Sequence, residues 1–290
     1  MLRKLALMIE TRRLTVDGIA TSALVGGSPR PGTADEAVVF VHGNPDCGSD
    51  WMPLMTRVAP LAAVVAPDLP GFGAADARPD RDYTIYSYAR FLDGVIRQLG
   101  LHRVHLIAHD FGGPFAAAWA ADHPDQVASI TFVNTGVLLD YRWHRMARVW
   151  RTPVLGEVSM RAITPGVATR MLARENPGLS ARWVDTIVAH LMPEKTRRAV
   201  LRLYRATRPG DMEQLAVRLH QHDFDGLVVF GDADAYIPAE LAHRQVAVFP
   251  RADIRILRGL GHWCWLENTD AVADQILPFL RERVGATAAS

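Results

Sequence analysis

Two cysteines in 290 residues, Cys47 and Cys264, are too few to staple a domain with disulfides. Such bonds are also rare in a reducing cytosol, so free thiols are the expected state. No apolar run approaches the roughly 20 residues that a membrane-spanning helix needs; segment 5–9 is apolar but far too short. Neither sign of charge dominates: 32 lysines and arginines face 31 aspartates and glutamates, leaving +1. That balance gives no electrostatic reason to expect nucleic acid or an anionic membrane as a partner. The sequence shows no secretory apolar segment near its start, no internal repeat, no low-complexity tract and no zinc-like spacing. The expectation is a cytoplasmic protein that touches neither nucleic acid nor membrane.

The composition that remains is that of a globular enzyme-sized chain. Hydrophobic residues make up 49% and charged residues 22%, which argues against disorder or a coiled coil. The length fits one large α/β domain carrying an insert.

Segments 12–17 and 19–25, separated by Gly18, alternate as an opening β-hairpin should. Ala37-Val38-Val39-Phe40-Val41 is instead a continuous apolar run, as expected for a strand buried on both faces of a parallel sheet. Apolar runs and amphipathic segments then alternate: strands at 62–66, 104–108 and 127–133, helices at 83–99 and 114–121. The alternation resumes with a strand at 226–230, a helix at 239–248, a strand at 254–257 and a helix at 270–284, before a tail, 285–290, expected to fray. Such order predicts a mostly parallel sheet with helices on both faces. Residues 136–222 have helical patterning and no strand-like runs, so they are read as a helical cap inserted in a core made of 1–135 and 223–290. A cap in that place would cover the carboxyl edge of the sheet, where open α/β sheets bind ligands. Its many arginines, among them Arg142, Arg148, Arg151, Arg197 and Arg205, read as a solvated helix face.

The strand at 104–108 runs into His109-Asp110-Phe111-Gly112-Gly113 and then a helix. A nucleophile elbow needs this context, with small residues two before and two after its apex; here these are Ala108 and Gly112. Asp110 occupies the apex, where a serine is usual. A serine must lose a proton to attack, whereas an aspartate is already charged and can displace a leaving group from carbon, forming an alkyl ester. Water must then be activated against that ester, a task suited to histidine. After the last strand, the glycines of Arg258-Gly259-Leu260-Gly261-His262-Trp263 free the chain to turn His262 back over the sheet edge. Two aspartates, Asp232 and Asp234, follow the strand at 226–230 and are candidates to orient it.

Five motifs in order carry a resemblance: His42-Gly43-Asn44-Pro45, Asp68-Leu69-Pro70-Gly71-Phe72-Gly73, the His109-Asp110-Phe111-Gly112 elbow, the stretch from Gly231 to Pro238, and Gly261-His262-Trp263. Over about residues 10–285 the chain resembles the aspartate-nucleophile branch of the α/β-hydrolases, the epoxide hydrolases and haloalkane dehalogenases. The resemblance implies an α/β-hydrolase fold, with Asp110, Asp234 and His262 as the catalytic set. The family's acid stands three after the glycine and four before the proline, which selects Asp234; Asp232 is then a turn former. Some dehalogenases place the acid after the preceding strand, where this chain has the uncharged Asn134. Backbone N–H groups of Asn44 and Phe111 are implied as oxyanion donors.

For the leaving group, similar dehalogenases hold the halide with an asparagine equivalent to Asn44 and a tryptophan directly after the nucleophile. Phe111 stands there instead, and a phenyl ring has no N–H to offer. Epoxide hydrolases commonly protonate the ring oxygen with two cap tyrosines; Tyr204 resembles one, and Tyr141 is the nearest candidate for the other. The expectation is therefore epoxide hydrolysis of a small hydrophobic electrophile, with dehalogenation as the alternative. A non-catalytic ligand receptor on the same fold is the alternative of another class. The chemistry requires no metal and no organic cofactor.

Overall fold

The computed structural model describes residues 8–28 and 32–286. Most of segment 5–9 and of the tail 285–290 lies outside them. Among the described residues, eight strands form one sheet in the order β1-β2-β4-β3-β5-β6-β7-β8. They are β1 (Glu10–Val16), β2 (Ile19–Gly27), β3 (Glu36–Val41), β4 (Ala63–Pro67), β5 (Arg103–His109), β6 (Val127–Val133), β7 (Gly226–Gly231) and β8 (Ala252–Leu257). β1 and β2 pair antiparallel, as do β2 and β4, and every other pairing is parallel. The fold is the α/β-hydrolase fold that the alternation and the motifs predict.

The opening hairpin turns at Asp17 and Gly18, both at positive φ, a two-residue turn that suits the twist of the strands; Val16 pairs with Ile19. The apolar run of β3 behaves as a two-faced strand must. Ala37, Val39 and Val41 join one core cluster, and Val38 and Phe40 join the other. On the first face lie α2 (Ile85–Gln98) and α3 (Gly112–Asp122). On the second lie α1 (Met52–Val58), α11 (Cys264–Glu267) and α12 (Thr269–Arg281).

The sequence pattern did not point to α1. It has seven residues, and Pro53 reads as a loop signal, yet proline is tolerated in a helix's first turn because its missing N–H would have no partner there. The helix expected at 239–248 is shorter: α10 (Glu240–His243) passes into a 3-10 turn at Arg244–Ala247. The tighter turn puts the buried Gln245 amide against the backbone of Val137, accepting from its N–H at 2.9 Å and donating to its carbonyl at 3.2 Å. Pro250 then bars further helix.

Between β6 and β7 the chain forms α4 (Arg145–Arg151), α5 (Leu155–Ala162), α6 (Pro165–Glu175), α7 (Ala181–Leu191), α8 (Glu194–Ala206) and α9 (Pro209–His220). Arg142 and Arg148 are exposed, as a solvated face requires, but Arg151, Arg197 and Arg205 are half-buried. Arg151 donates to the carbonyls of Tyr204 and Thr207, Arg197 to that of Met160, and Arg205 to that of Trp150 and to Glu157. These three tie helix ends together, because a guanidinium can satisfy several carbonyls at once. No helix among the described residues is long and apolar enough to cross a membrane.

Trp51 anchors the second core face. It is fully buried, stacked on Trp265 at 4.4 Å and tilted against Phe40 at 5.3 Å, while its indole N–H has no partner. Trp51→Ala is expected to cost about 3–5 kcal/mol through the cavity it leaves. Trp51→Phe should cost clearly less, since it keeps a ring and removes an unsatisfied donor. Urea denaturation midpoints of the two variants check the order.

Candidate active site

β5 ends and α3 begins on either side of Asp110, so the chain reverses at one residue. Asp110 has φ 49°, a left-handed conformation that costs a side-chain-bearing residue about 1–3 kcal/mol. Two glycines make room for it. A Cβ on Gly43 would stand 2.5 Å from the Asp110 side chain, and one on Gly112 would stand 2.2 Å from the Val41 carbonyl oxygen. Thr135 Oγ1 donates to the Asp110 carbonyl at 2.5 Å and pins the turn from the β6 side.

The Asp110 carboxylate accepts from the Asn44 backbone N–H at 2.9 Å and is also stabilised by the Phe111 N–H. Its other oxygen lies 3.7 Å from His262 Nε2. Burial pushes the carboxyl above the usual aspartate range; the charges of His262 and His109 and the Phe111 N–H oppose this without cancelling it.

His262 Nδ1 meets Asp234 Oδ2 at 2.7 Å. Burial disfavours the imidazolium, but the charge and hydrogen bond of Asp234, then the charges of Asp110 and Asp46, outweigh it and lift the histidine to about 9. Asp234 is fully buried and fixed on every side. Its Oδ1 accepts from the N–H groups of Tyr236 and Ile237 at 2.8 and 2.9 Å, and its Oδ2 accepts from Asn134 Nδ2 at 2.8 Å. Asn134, at the position of the alternative acid, thus supports Asp234. Asp232 accepts from the Gly259 N–H at 2.6 Å in an exposed turn, away from the imidazole.

A second carboxylate lies behind the first. Asp46, 1% exposed, accepts from Trp263 Nε1 at 2.8 Å and meets His109 Nδ1 at 2.9 Å. His109 Nε2 in turn reaches the His262 carbonyl at 3.1 Å. Asp46 is not among the site residues expected from the sequence; its signal there is an acid two residues after Asn44 in the loop that carries the expected oxyanion donor.

A cavity of about 660 Å³ opens on Asp110. Its walls come from the sheet edge (Asn44, Phe111, Tyr236, His262, Trp263) and from the insert, including Trp143, Trp150, Leu172, Ile187 and Tyr204. Trp143 and Trp150 line the cavity, whereas Trp265 is core. Trp183 packs half-buried against the second core face.

Tyr204 is 4% exposed and sets its ring edge against Phe111 at 5.0 Å. Burial raises its pKa well above that of a free phenol, and the Asp110 charge adds to the rise. His144, which is not among the site residues expected from the sequence, meets the Tyr204 hydroxyl through Nε2 at 3.3 Å. Burial and the His262 charge depress His144 to about 4, so it is neutral at neutral pH. Its Nδ1 accepts from the Ala147 N–H at 3.4 Å, which assigns the ring proton to Nε2. The Tyr204 oxygen therefore accepts from His144 and, at 3.5 Å, from Asn44 Nδ2. That leaves its own proton available to the cavity. Tyr141 also lines the cavity, but its hydroxyl donates to the Tyr236 carbonyl at 3.0 Å while the His144 backbone N–H points at it.

The arrangement holds a carboxylate by two backbone donors, faces it with an imidazole oriented by another carboxylate, and sets a phenol across the cavity. These parts suffice for nucleophilic attack on carbon followed by water activation.

The chain is similar to known hydrolases. The chain is 27% identical to a haloalkane dehalogenase of Mesorhizobium japonicum, covering 87% of each protein. It is 29% identical to another of Bradyrhizobium diazoefficiens, covering 82% of this chain and 85% of the relative. Among solved structures it superposes on the epoxide hydrolase CorEH, without ligand, with a TM-score of 0.80 at 19% identity, covering 95% of this chain and 99% of that one. The model of the alpha/beta hydrolase fold family matches residues 36–212, more than half of the sequence, and the chain belongs to that family.

Proposed function

We propose that this α/β-fold hydrolase opens epoxides to vicinal diols through a covalent alkyl ester on Asp110, with core 1–135 and 223–290 supplying the catalytic groups and insert 136–222 acting as the cap. The observation that carries the reading is a carboxylate at the strand-to-helix apex, faced by a histidine that is itself paired to Asp234. A small hydrophobic electrophile suits the aromatic walls of the cavity.

In the first half-reaction an Asp110 oxygen attacks an epoxide carbon, the ring C–O bond breaks, and Tyr204 gives its proton to the departing oxygen. His144 Nε2–H and Asn44 Nδ2–H then stabilise the phenolate. In the second half, neutral His262 takes a proton from water, and the resulting hydroxide attacks the acyl carbon of the ester. The 3.7 Å between Nε2 and Asp110 is longer than a direct hydrogen bond and keeps the base close to the acyl carbon that water must attack. Backbone N–H groups of Asn44 and Phe111 hold the oxyanion, which collapses to release the diol and restore the carboxylate. The phenolate of Tyr204 is reprotonated between the two halves by the proton that His262 carries at rest, passed through solvent, and the proton then taken from water restores the imidazolium. Tyr141 plays the smaller part of setting the His144 backbone and the cavity wall.

Dehalogenation is the second reading, favoured by the two relatives that are haloalkane dehalogenases and by the Asn44 side-chain amide in the cavity. Phe111 cannot complete a pair of N–H donors around a halide.

His262→Gln should stop the second half-reaction and leave the first. Incubated with styrene oxide, the variant is expected to gain the mass of one substrate on the peptide that contains Asp110; an unmodified peptide would refute the ester. Tyr204→Phe should slow diol formation from styrene oxide by about a hundredfold or more while leaving bromide release from 1-bromobutane nearly unchanged. Equal losses on both substrates would remove the acid role. Ester formation also neutralises Asp110, one of the charges that raise His262. Breakdown of the alkyl-enzyme in single-turnover experiments should therefore accelerate with pH and level off at a midpoint below about 9. A rate independent of pH would argue against histidine as the base.

A further inference from the structure

Away from the Asp110 cavity, the loop after β3 and helix α7 bring together three metal-binding side chains that the proposed hydrolysis does not use. We propose that Cys47, Asp50 and His190 form a zinc site that rivets α7 to this loop. No zinc-like spacing marks this set in the sequence because the third ligand lies 140 residues beyond the second.

The donor atoms of the three residues all lie within 4.8 Å of one another. His190 Nε2 is 3.5 Å from Cys47 Sγ and 3.0 Å from Asp50 Oδ1. In a tetrahedral zinc site, bond lengths of about 2.0–2.3 Å set the ligand atoms roughly 3.3–3.6 Å apart. These two edges therefore need only small adjustments, and the third, between the Cys47 sulfur and the Asp50 carboxylate, is at most 4.8 Å and must close to about 3.5 Å. One imidazole nitrogen faces both a sulfur and a carboxylate oxygen, and a single proton on that nitrogen can serve only one of them well. A divalent cation serves both.

The surroundings match what a structural site requires. Cys47 is 5% exposed and Asp50 1%, so the two ligands on the loop are already in place. The Cys47 N–H donates to Asp50 Oδ2 at 3.0 Å, which turns Oδ1 toward His190, and Trp265 Nε1 holds the Asp50 backbone carbonyl at 2.9 Å. Outer contacts of this kind orient ligands in metal sites. A second cavity, of about 330 Å³, is lined by Cys47, Ser49 and His190 and offers an entry path and room for a water as fourth ligand. Thiolate and carboxylate together neutralise the charge of the cation, and the sulfur, nitrogen and oxygen donors suit zinc. Binding would form Zn–S, Zn–N and Zn–O bonds and release the thiol proton and the Nε2 proton of His190 to solvent, with no change of oxidation state.

The test uses the purified full-length chain, stripped with chelator. Titrated with Zn²⁺ by calorimetry, it should bind one ion per chain and melt at a higher temperature once loaded. With Co²⁺ as spectroscopic substitute, it should show tetrahedral visible bands together with a thiolate-to-metal charge-transfer band. Cys47→Ser should abolish the charge-transfer band, and Cys47→Ser and His190→Gln should each weaken zinc binding by at least about tenfold. Because His190 is partly exposed, His190→Gln gives a readable result even where the cysteine variant folds poorly. Binding well below one ion per chain, or equal affinity in the unchanged chain and both variants, would overturn the site. Ester trapping by His262→Gln is measured on a different residue and stands or falls separately.

Discussion

The negative charge of Asp110, lodged at a strained bend in a nearly closed place, is the constraint around which the rest is arranged. Burial pushes against the charge and a φ of 49° strains the turn, and separate features oppose each. Gly43 and Gly112 leave space for the bend, Thr135 fixes its carbonyl, the Asn44 N–H binds its carboxylate, and His262 faces it with the opposite charge. A serine at the same apex would need none of the charge compensation. The compensation is therefore a mark of the chemistry, whereas the bend is a mark of the fold.

That charge also links the two halves of the proposed reaction. While Asp110 is ionised, it raises the pKa of Tyr204 and supports the protonated form of His262. Tyr204 thus keeps its proton and His262 is held from acting as a base before substrate has reacted. Forming the ester consumes the charge. Tyr204 then gives up its proton more readily, and His262 loses one of the groups that stabilise its imidazolium. The order of events follows from electrostatics at one carboxylate and requires no large movement.

Much of this was legible in the sequence because it rests on local backbone rules. The positions of Gly43, Gly112 and Gly261 announce bends and the two-faced run of β3 announces a buried parallel strand, whereas the choice of Asp234 over Asp232 comes from the family resemblance. The less legible features depend on what one element meets on another. His144 looks like any insert histidine until its Nδ1 is found on the Ala147 N–H and its Nε2 on Tyr204. Arg151 and Arg197 look solvated until the carbonyls at neighbouring helix ends are seen to need donors. The break at Arg244 depends on Gln245 reaching Val137, 108 residues away in sequence. Periodicity carries no information about such partners.

The loop from His42 to Trp51 shows how these distant contacts reach the chemistry. Asn44 faces Asp110 and Tyr204, Asp46 takes His109 and Trp263, and Asp50 takes His190 through its side chain and Trp265 through its carbonyl. Trp263 and Trp265 follow His262 closely in the chain, so one loop holds the expected oxyanion donor and braces the histidine as well. Removing a partner from a buried carboxylate such as Asp46 leaves an uncompensated charge, which is costly enough to distort its surroundings. Asn44 and His262 are therefore held in register by the same buried carboxylates, and the two groups that must act on one ester carbon cannot drift apart independently.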